Sequence, residues 1–216
     1  MRFFIPVGIF VLIDDCEMGK SDDTKALIIR KAAPIFNTKG YVATSIKDIT
    51  EATGMTKGAI YGNFKTKEEV AVAVLEYTAK KIFGLMGQMV RAATNAPDKM
   101  RAILDFYESY ITNPPIEGGC PILNTAIEVD DGNPLLRLKV SRMLETLHTS
   151  MFKILHRGIK EGQLKAEIDV EAFGHVFVAS LEGAIMIARV QGDVRSYHII
   201  KKQLEKQIDA MSLMND

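Results

Sequence analysis

Residues 54–68 read Gly54-Met55-Thr56-Lys57-Gly58-Ala59-Ile60-Tyr61-Gly62-Asn63-Phe64-Lys65-Thr66-Lys67-Glu68. Gly54 supplies the positive φ that a tight reversal between two helices needs. A short helix from about Thr56 to Asn63 follows it, and Thr66 with Glu69 three residues on opens a long helix as a capping box. Before the glycine, Thr44-Ser45 with Asp48 in the first turn starts another short helix. Earlier still, Ser21 caps a helix with Asp22 and Asp23 in its first turn and an apolar stripe of Ala26, Ile29, Ala33 and Phe36. Gly40 ends that helix, and Pro34 predicts a bend because it removes the bond to the carbonyl of Arg30. Ile46, Ile49, Met55 and Ile60 fall where the short helices must bury apolar side chains against each other and against the first helix. Three such helices, two of them short and joined through a glycine, predict a DNA-binding helix-turn-helix.

The charge of the whole chain argues the other way. Among 216 residues, Lys plus Arg and Asp plus Glu both number 27, so the net charge is zero, whereas nucleic-acid binding calls for a basic surface. The distribution resolves the conflict. Residues 18–67 carry nine basic side chains (Lys20, Lys25, Arg30, Lys31, Lys39, Lys47, Lys57, Lys65 and Lys67) against four acidic ones (Asp22, Asp23, Asp48 and Glu51). The segments on either side are both mildly acidic. Three divisions are therefore expected: an N-terminal extension at 1–17, a helix-turn-helix domain at 18–67 and a larger domain at 68–216.

The extension is apolar from Phe3 to Ile13, behind Arg2. It is too short to span a bilayer, and Asp14-Asp15-Cys16-Glu17 after it suits neither signal cleavage nor lipid attachment. Translation starting at Met18 is the simplest account of it; a native N-terminal arm is the other. Cys16 and Cys120 make no disulfide framework and fit a reducing cytosol, so the expected location is cytoplasmic, with no membrane partner.

Sustained period-2 alternation is missing downstream, while helix signals recur, which predicts an all-α fold of about nine helices. Pro97-Asp98 begins a helix to about Thr112, Pro114-Pro115 and Gly118-Gly119 mark a loop, and Pro121 starts a short helix. Pro134 opens a long one to about Glu161, Asp169 to Val190 is the next, and Asp193 to about Leu213 the last. The last helix carries Tyr197, Ile200, Leu204, Ile208 and Met211 at heptad-like spacing. The helix before it is apolar nearly all round and must be buried on two sides, one in its own domain and one against a partner subunit. The expected dimer surface is Phe173, Phe177, Leu181 and Ala184 with Ile200, Leu204, Ile208 and Met211.

The run Lys39-Gly40-Tyr41, Thr44-Ser45-Ile46, Asp48-Ile49 and Gly54 to Glu68, at fixed spacing and without gaps, closely resembles the N-terminal domain of the TetR family of transcriptional regulators. Two residues depart from that pattern: Thr50, where a small Ala is usual, and Gly62, where a larger polar residue is common. The resemblance implies a homodimer on a palindromic operator in double-stranded DNA, with the helix after Gly54 in the major groove. Carried over residue by residue, the implied DNA contacts are Thr44, Ser45, Thr56, Lys57, Gly58, Ala59, Tyr61, Asn63, Lys65 and Lys67. Lys57 can reach a phosphate or a guanine edge, the Tyr61 hydroxyl a phosphate, and Ala59 a thymine methyl.

Regulators that resemble this chain respond to small molecules, and its middle helices are rich in adaptable Met and aromatic side chains. The expected effector pocket comprises Met86, Met89, Phe106, Tyr107, Tyr110, Cys120, Asn124, Glu128, Met143, Leu147, His148 and Met151. Cys120, at a helix start, is either a thiol activated by the helix dipole or a small buried side chain at a tight turn. The expected effector is small and either apolar or reactive. In the other reading, the larger domain binds a protein partner instead. Enzymatic chemistry is not expected: the four histidines lack metal-ligand spacing, and neither a Gly-rich phosphate loop nor a nucleophile elbow is present. No metal or cofactor is implied.

Overall fold

Side-chain caps fix where most helices begin. In the computed structural model, which describes residues 20–213, nine helices and no strand are found among the described residues. They are α1 (Lys20–Ala43), α2 (Ile46–Thr53), α3 (Lys57–Asn63), α4 (Lys67–Ala92), α5 (Ala96–Thr112), α6 (Pro121–Val129), α7 (Pro134–Lys160), α8 (Val170–Gln191) and α9 (Arg195–Met211). Ser45, Thr56, Thr66, Asn95, Asn133 and Asp169 each accept a hydrogen bond from a backbone N–H in the first turn of the helix that follows. The segment 1–17, with Cys16 and the proposed start at Met18, lies outside the described residues.

Local expectations need three corrections. α1 is already helical at Lys20, so Ser21 lies within it and does not cap it. Pro34 keeps helical dihedral angles, and the only break inside α1 is at Gly40 (φ 82, ψ 173). The expected box at Thr66 closes one residue earlier, because the Glu69 carboxylate accepts from the N–H of Lys65 at 2.7 Å.

Two apolar cores share α4 as their common wall. The first joins Ile28, Ala32, Ile49, Ile60 and Phe64 to Val70, Val74 and Leu75 of α4, and to Val129, Leu136 and Val140 of α6 and α7. The second gathers Met86 of α4, Met100, Leu104 and Tyr107 of α5, Leu155 of α7, Phe177 and Ile185 of α8, and Leu204 and Ile208 of α9. α4 runs about 39 Å at the usual rise per residue, long enough to belong to both. The helix-turn-helix therefore has no core of its own. It is completed by the first turns of α4 and by α6.

The expected dimer surface faces inward. Phe177, Leu181, Ala184, Leu204, Ile208 and Met211 are buried within one chain, and Phe173 and Ile200 are half-buried against the same core. An apolar seam on a helix reads the same whether it meets its own domain or another copy, and here α5 and α7 already cover it. The exposed apolar residues of α8 are Ala172, Val176, Ala179, Met186 and Val190, with Ile199 exposed at the start of α9. Val176, Ala179, Gly183, Met186 and Val190 alternate steps of three and four, a continuous row along the outer side of α8.

Gly40 sits where α1 meets α6. Its dihedral angles lie in a region open essentially to glycine alone, and an added Cβ would fall 1.6 Å from the Oε1 of Glu128. The same carboxylate accepts from the N–H of Val42 at 2.9 Å. Gly40→Ala is expected to destabilise the protein by about 1–3 kcal/mol, read from chemical denaturation, through backbone strain and displacement of Glu128. An unchanged denaturation midpoint would show that the joint relaxes freely.

Candidate nucleic-acid interface and internal cavity

α2 and α3 are held apart by Gly54, at φ 71 and ψ 12, whose N–H donates to Thr50 O. Ile49 and Ile60 bury the inner faces of the two helices and Phe64 closes the core behind them. What α3 then presents outward is Lys57, Gly58, Tyr61 and Gly62, all exposed, with Ala59 partly so. The Lys57 ammonium lies 5.8 Å from the centre of the Tyr61 ring, one turn away on the same face. A Cβ on Gly62 would meet nothing within 4 Å, so the surface there is open. Ser45, Lys47, Thr56 and Lys65 are exposed around this face.

Several of the expected DNA-contact groups already have partners inside the chain. Thr44 is 1% exposed and its hydroxyl donates to Gly40 O at 2.6 Å, so it offers no hydroxyl to a phosphate. The Ser45 hydroxyl accepts from the N–H of Asp48 and donates to that residue's carboxylate. A hydrogen bond from Lys39 and two from Ser45 hold the Asp48 carboxyl well below the usual carboxylate range. The Thr56 hydroxyl accepts from Ala59 N–H, and the Asn63 amide donates to Ala59 O.

Lys67 is placed furthest from its expected role. Its ammonium donates to Tyr41 O at 2.8 Å, Val42 O at 3.3 Å and Thr44 O at 2.9 Å, and lies 4.5 Å from the centre of the Tyr41 ring. It closes the carbonyl end of α1, where a cation is favourable to the helix dipole. Sequence spacing cannot reveal this, because its partners lie 23 to 26 residues away.

The expected pocket residues do not come together in one place. Met86, Tyr107, Leu147 and Met151 line a small internal cavity of about 40 Å³, together with Phe177, Leu181 and Glu182. His148 lines an adjoining groove of about 370 Å³ between α6, α7 and α8, where its Nε2 is 3.2 Å from Nδ1 of His175. Burial, and then the neighbouring His175, push the pKa of His148 down. Asn124 and Glu128 belong instead to the joint with α1: Asn124 donates to Asn37 O at 3.0 Å, and Glu128 holds the N–H of Val42. Phe106 and Tyr110 are core residues off the cavity wall, Met143 packs on the first core, and Met89 is exposed.

Cys120 is buried at the N-cap of α6, and its thiol donates to Glu182 Oε1 at 3.3 Å. Burial, and then the facing carboxylate, raise its pKa well above the ordinary thiol value. Of the two readings of Cys120, burial favours the small side chain at a tight turn over the thiol activated by the helix dipole. Glu182 is not among the expected pocket residues. Its one signal is that it is the only Asp, Glu, Lys or Arg between Glu171 and Arg189 on an otherwise apolar helix.

The profile described as "Bacterial regulatory proteins, tetR family" matches residues 28–74, and that described as "Tetracyclin repressor-like, C-terminal domain" matches residues 96–204. A solved TetR-family transcriptional regulator from Cytophaga hutchinsonii is 34% identical, with a TM-score of 0.85 over 93% of this chain and 100% of its own. A TetR transcriptional regulator from Chloroflexus aurantiacus J-10-FL is 35% identical, with a TM-score of 0.86 over 90% of this chain and 98% of its own. Among curated proteins, the HTH-type transcriptional repressor DhaR of Mycobacterium sp. (strain GP1) is 22% identical over 165 residues, 76% of this chain and 81% of its own.

Removing the Lys67 ammonium leaves three carbonyls without their donor. Lys67→Met is expected to cost about 2 kcal/mol in urea denaturation of the full chain, the scale of a charged hydrogen-bonded group. Stability equal to that of the parent would return Lys67 to the role of a surface cation.

Proposed function

This chain belongs to the TetR family of bacterial regulatory proteins, and on that premise we propose that it is an effector-controlled repressor, binding a palindromic operator as a homodimer. The observation that carries the DNA-binding part is the outward face of α3. Lys57 and Tyr61 stand there on one side of a helix without acidic ion-pair partners among the described residues, bordered by Gly58 and Gly62, where a backbone can approach a duplex closely. Ser45, Lys47 and Lys65 supply hydrogen-bond and charge contacts to phosphates at the rim. Thr44 and Lys67 act behind this surface by holding the end of α1.

A second copy of the chain is the proposed occupant of the outer side of α8. Val176, Ala179, Met186 and Val190 are exposed in a row, and small Gly183 between them lets another helix approach. A two-fold axis there would present two α3 faces to two half-sites of a palindrome. The same row also suits a different protein, which keeps the partner-binding reading open to the measurement below.

Effector control requires two states of the head that the effector distinguishes by affinity; equal affinity would shift nothing. The cavity at Glu182 and the joint at Asn37 are linked through the 117–120 segment, so a ligand in the body has a physical route to α1.

Tyr61→Ala and Lys57→Ala are each expected to lower affinity about tenfold or more for a duplex selected by the protein from a random pool, with unchanged melting. Unaltered affinity in both would remove α3 from the groove. Val176→Asp with Met186→Asp is expected to convert a dimer to a monomer in sedimentation velocity. A parent chain that sediments as a monomer would instead favour a different protein on α8.

A further inference from the structure

Glu182 is a carboxylate on an apolar helix, turned toward the second core. Its Oε1 accepts from the Cys120 thiol, while its Oε2 is buried and meets no hydrogen-bond donor among the described residues. A buried carboxylate oxygen without a partner is costly, and such a group persists where something else completes it. The side chain contributes to the walls of two spaces at once. One is the internal cavity with Met86, Tyr107 and Phe177; the other is the 370 Å³ groove with Leu144 and Val178, a volume within the usual range for a small ligand. No Lys or Arg forms an ion pair with Glu182 among the described residues, and burial pushes the pKa of its carboxyl up.

We propose that Glu182 is the polar anchor of the effector site and that the effector is a cationic amphiphile, an apolar body carrying one protonated nitrogen that donates to Oε2. This inference rests on the effector-controlled reading given above. An ammonium satisfies the orphaned oxygen and favours the charged carboxylate that burial alone disfavours. The rings of Tyr107 and Phe177 in the cavity wall add attraction for a cation, and Ile122, Leu144 and Val178 of the groove cover the apolar body. An anionic ligand would instead confine two acids in one apolar space, and a neutral hydroxyl could donate to Oε2 but would bring no charge to match the carboxylate.

Site and head are joined by hydrogen bonds. The ammonium on Oε2 shares the carboxylate with the Cys120 thiol on Oε1, and Cys120 follows Gly119, whose carbonyl accepts from the Tyr110 hydroxyl at 2.9 Å and from the Asn37 amide at 3.0 Å. Asn37 belongs to α1. A ligand at Glu182 therefore acts on the segment that fixes the helix-turn-helix.

The test uses calorimetric titration of the full chain with phenylbutylamine, phenylbutanol and phenylbutyrate, which share one apolar body and differ in the head group. The amine is expected to bind at least tenfold tighter than either analogue. Glu182→Gln is expected to weaken it about 10- to 100-fold, the scale of a charged hydrogen bond, and to leave the alcohol unchanged. Cys120→Ala keeps the carboxylate and is expected to bind the amine at least as tightly as the parent, which serves if Glu182→Gln fails to fold. Equal binding of the three compounds, no amine binding at millimolar concentration, or loss of the amine preference in Cys120→Ala overturns the proposal. Release of a selected duplex by the alcohol or the acid alone overturns the cation while preserving effector control. Amine binding that leaves duplex affinity unchanged supports the site and removes the control.

Discussion

The buried side-chain amide of Asn37 joins the DNA-binding head to the body. It donates to the carbonyls of Glu117 and Gly119, at 2.9 and 3.0 Å, while the Asn37 backbone carbonyl accepts from Asn124. Gly118 at φ 112 passes so close that a Cβ there would lie 2.5 Å from the Asn37 amide nitrogen and 2.6 Å from its carbonyl oxygen. A buried amide is favourable only with its hydrogen bonds made, so this joint has one good geometry and resists intermediate ones. Glu128 on Val42 and Lys67 on the carbonyls of Tyr41, Val42 and Thr44 fix the same end of α1 from two other directions. The orientation of α2 and α3 follows from where α1 ends.

That arrangement explains why the first core is not confined to the head. Ile28, Ile49 and Ile60 could not enclose themselves in so short a segment, and the first turns of α4 with α6 and the start of α7 complete the burial. Any displacement of α6 or of the 117–120 segment is thereby a displacement of the floor on which the head stands. Packed cores and satisfied polar joints change between discrete arrangements. A shift of the body at this joint would therefore be passed to the head without any contact to the α3 face.

The helices were legible because their signals are local. Ser45, Thr56, Thr66 and Asp169 act within three residues of their own positions, and Gly54 acts at its own φ. The motif from Lys39 to Glu68 could be read for the same reason. What escaped the sequence depends on residues far apart in the chain. Lys67 looks like a surface cation until Tyr41 and Thr44 are folded beneath it. Leu204 and Ile208 look like a coiled-coil seam until α5 covers them, leaving Val176 and Met186 as the outer row. Cys120 looks like a helix-cap thiol until Glu182, 62 residues on, faces it and burial sets its protonation. Zero net charge was likewise an average over a basic head and an acidic body.

The central claim is that the Asn37 joint, away from the α3 surface, sets the DNA-binding geometry of the head. It is tested most directly by the affinity of Asn37→Ala for a selected operator duplex, alongside its melting curve. Tyr110 still holds Gly119 O in that variant, so the 117–120 segment keeps an anchor of its own. The account predicts a several-fold or greater loss of operator affinity with both cores still folding cooperatively, because loosened heads must be ordered on binding. Parental affinity in a folded Asn37→Ala protein would contradict it.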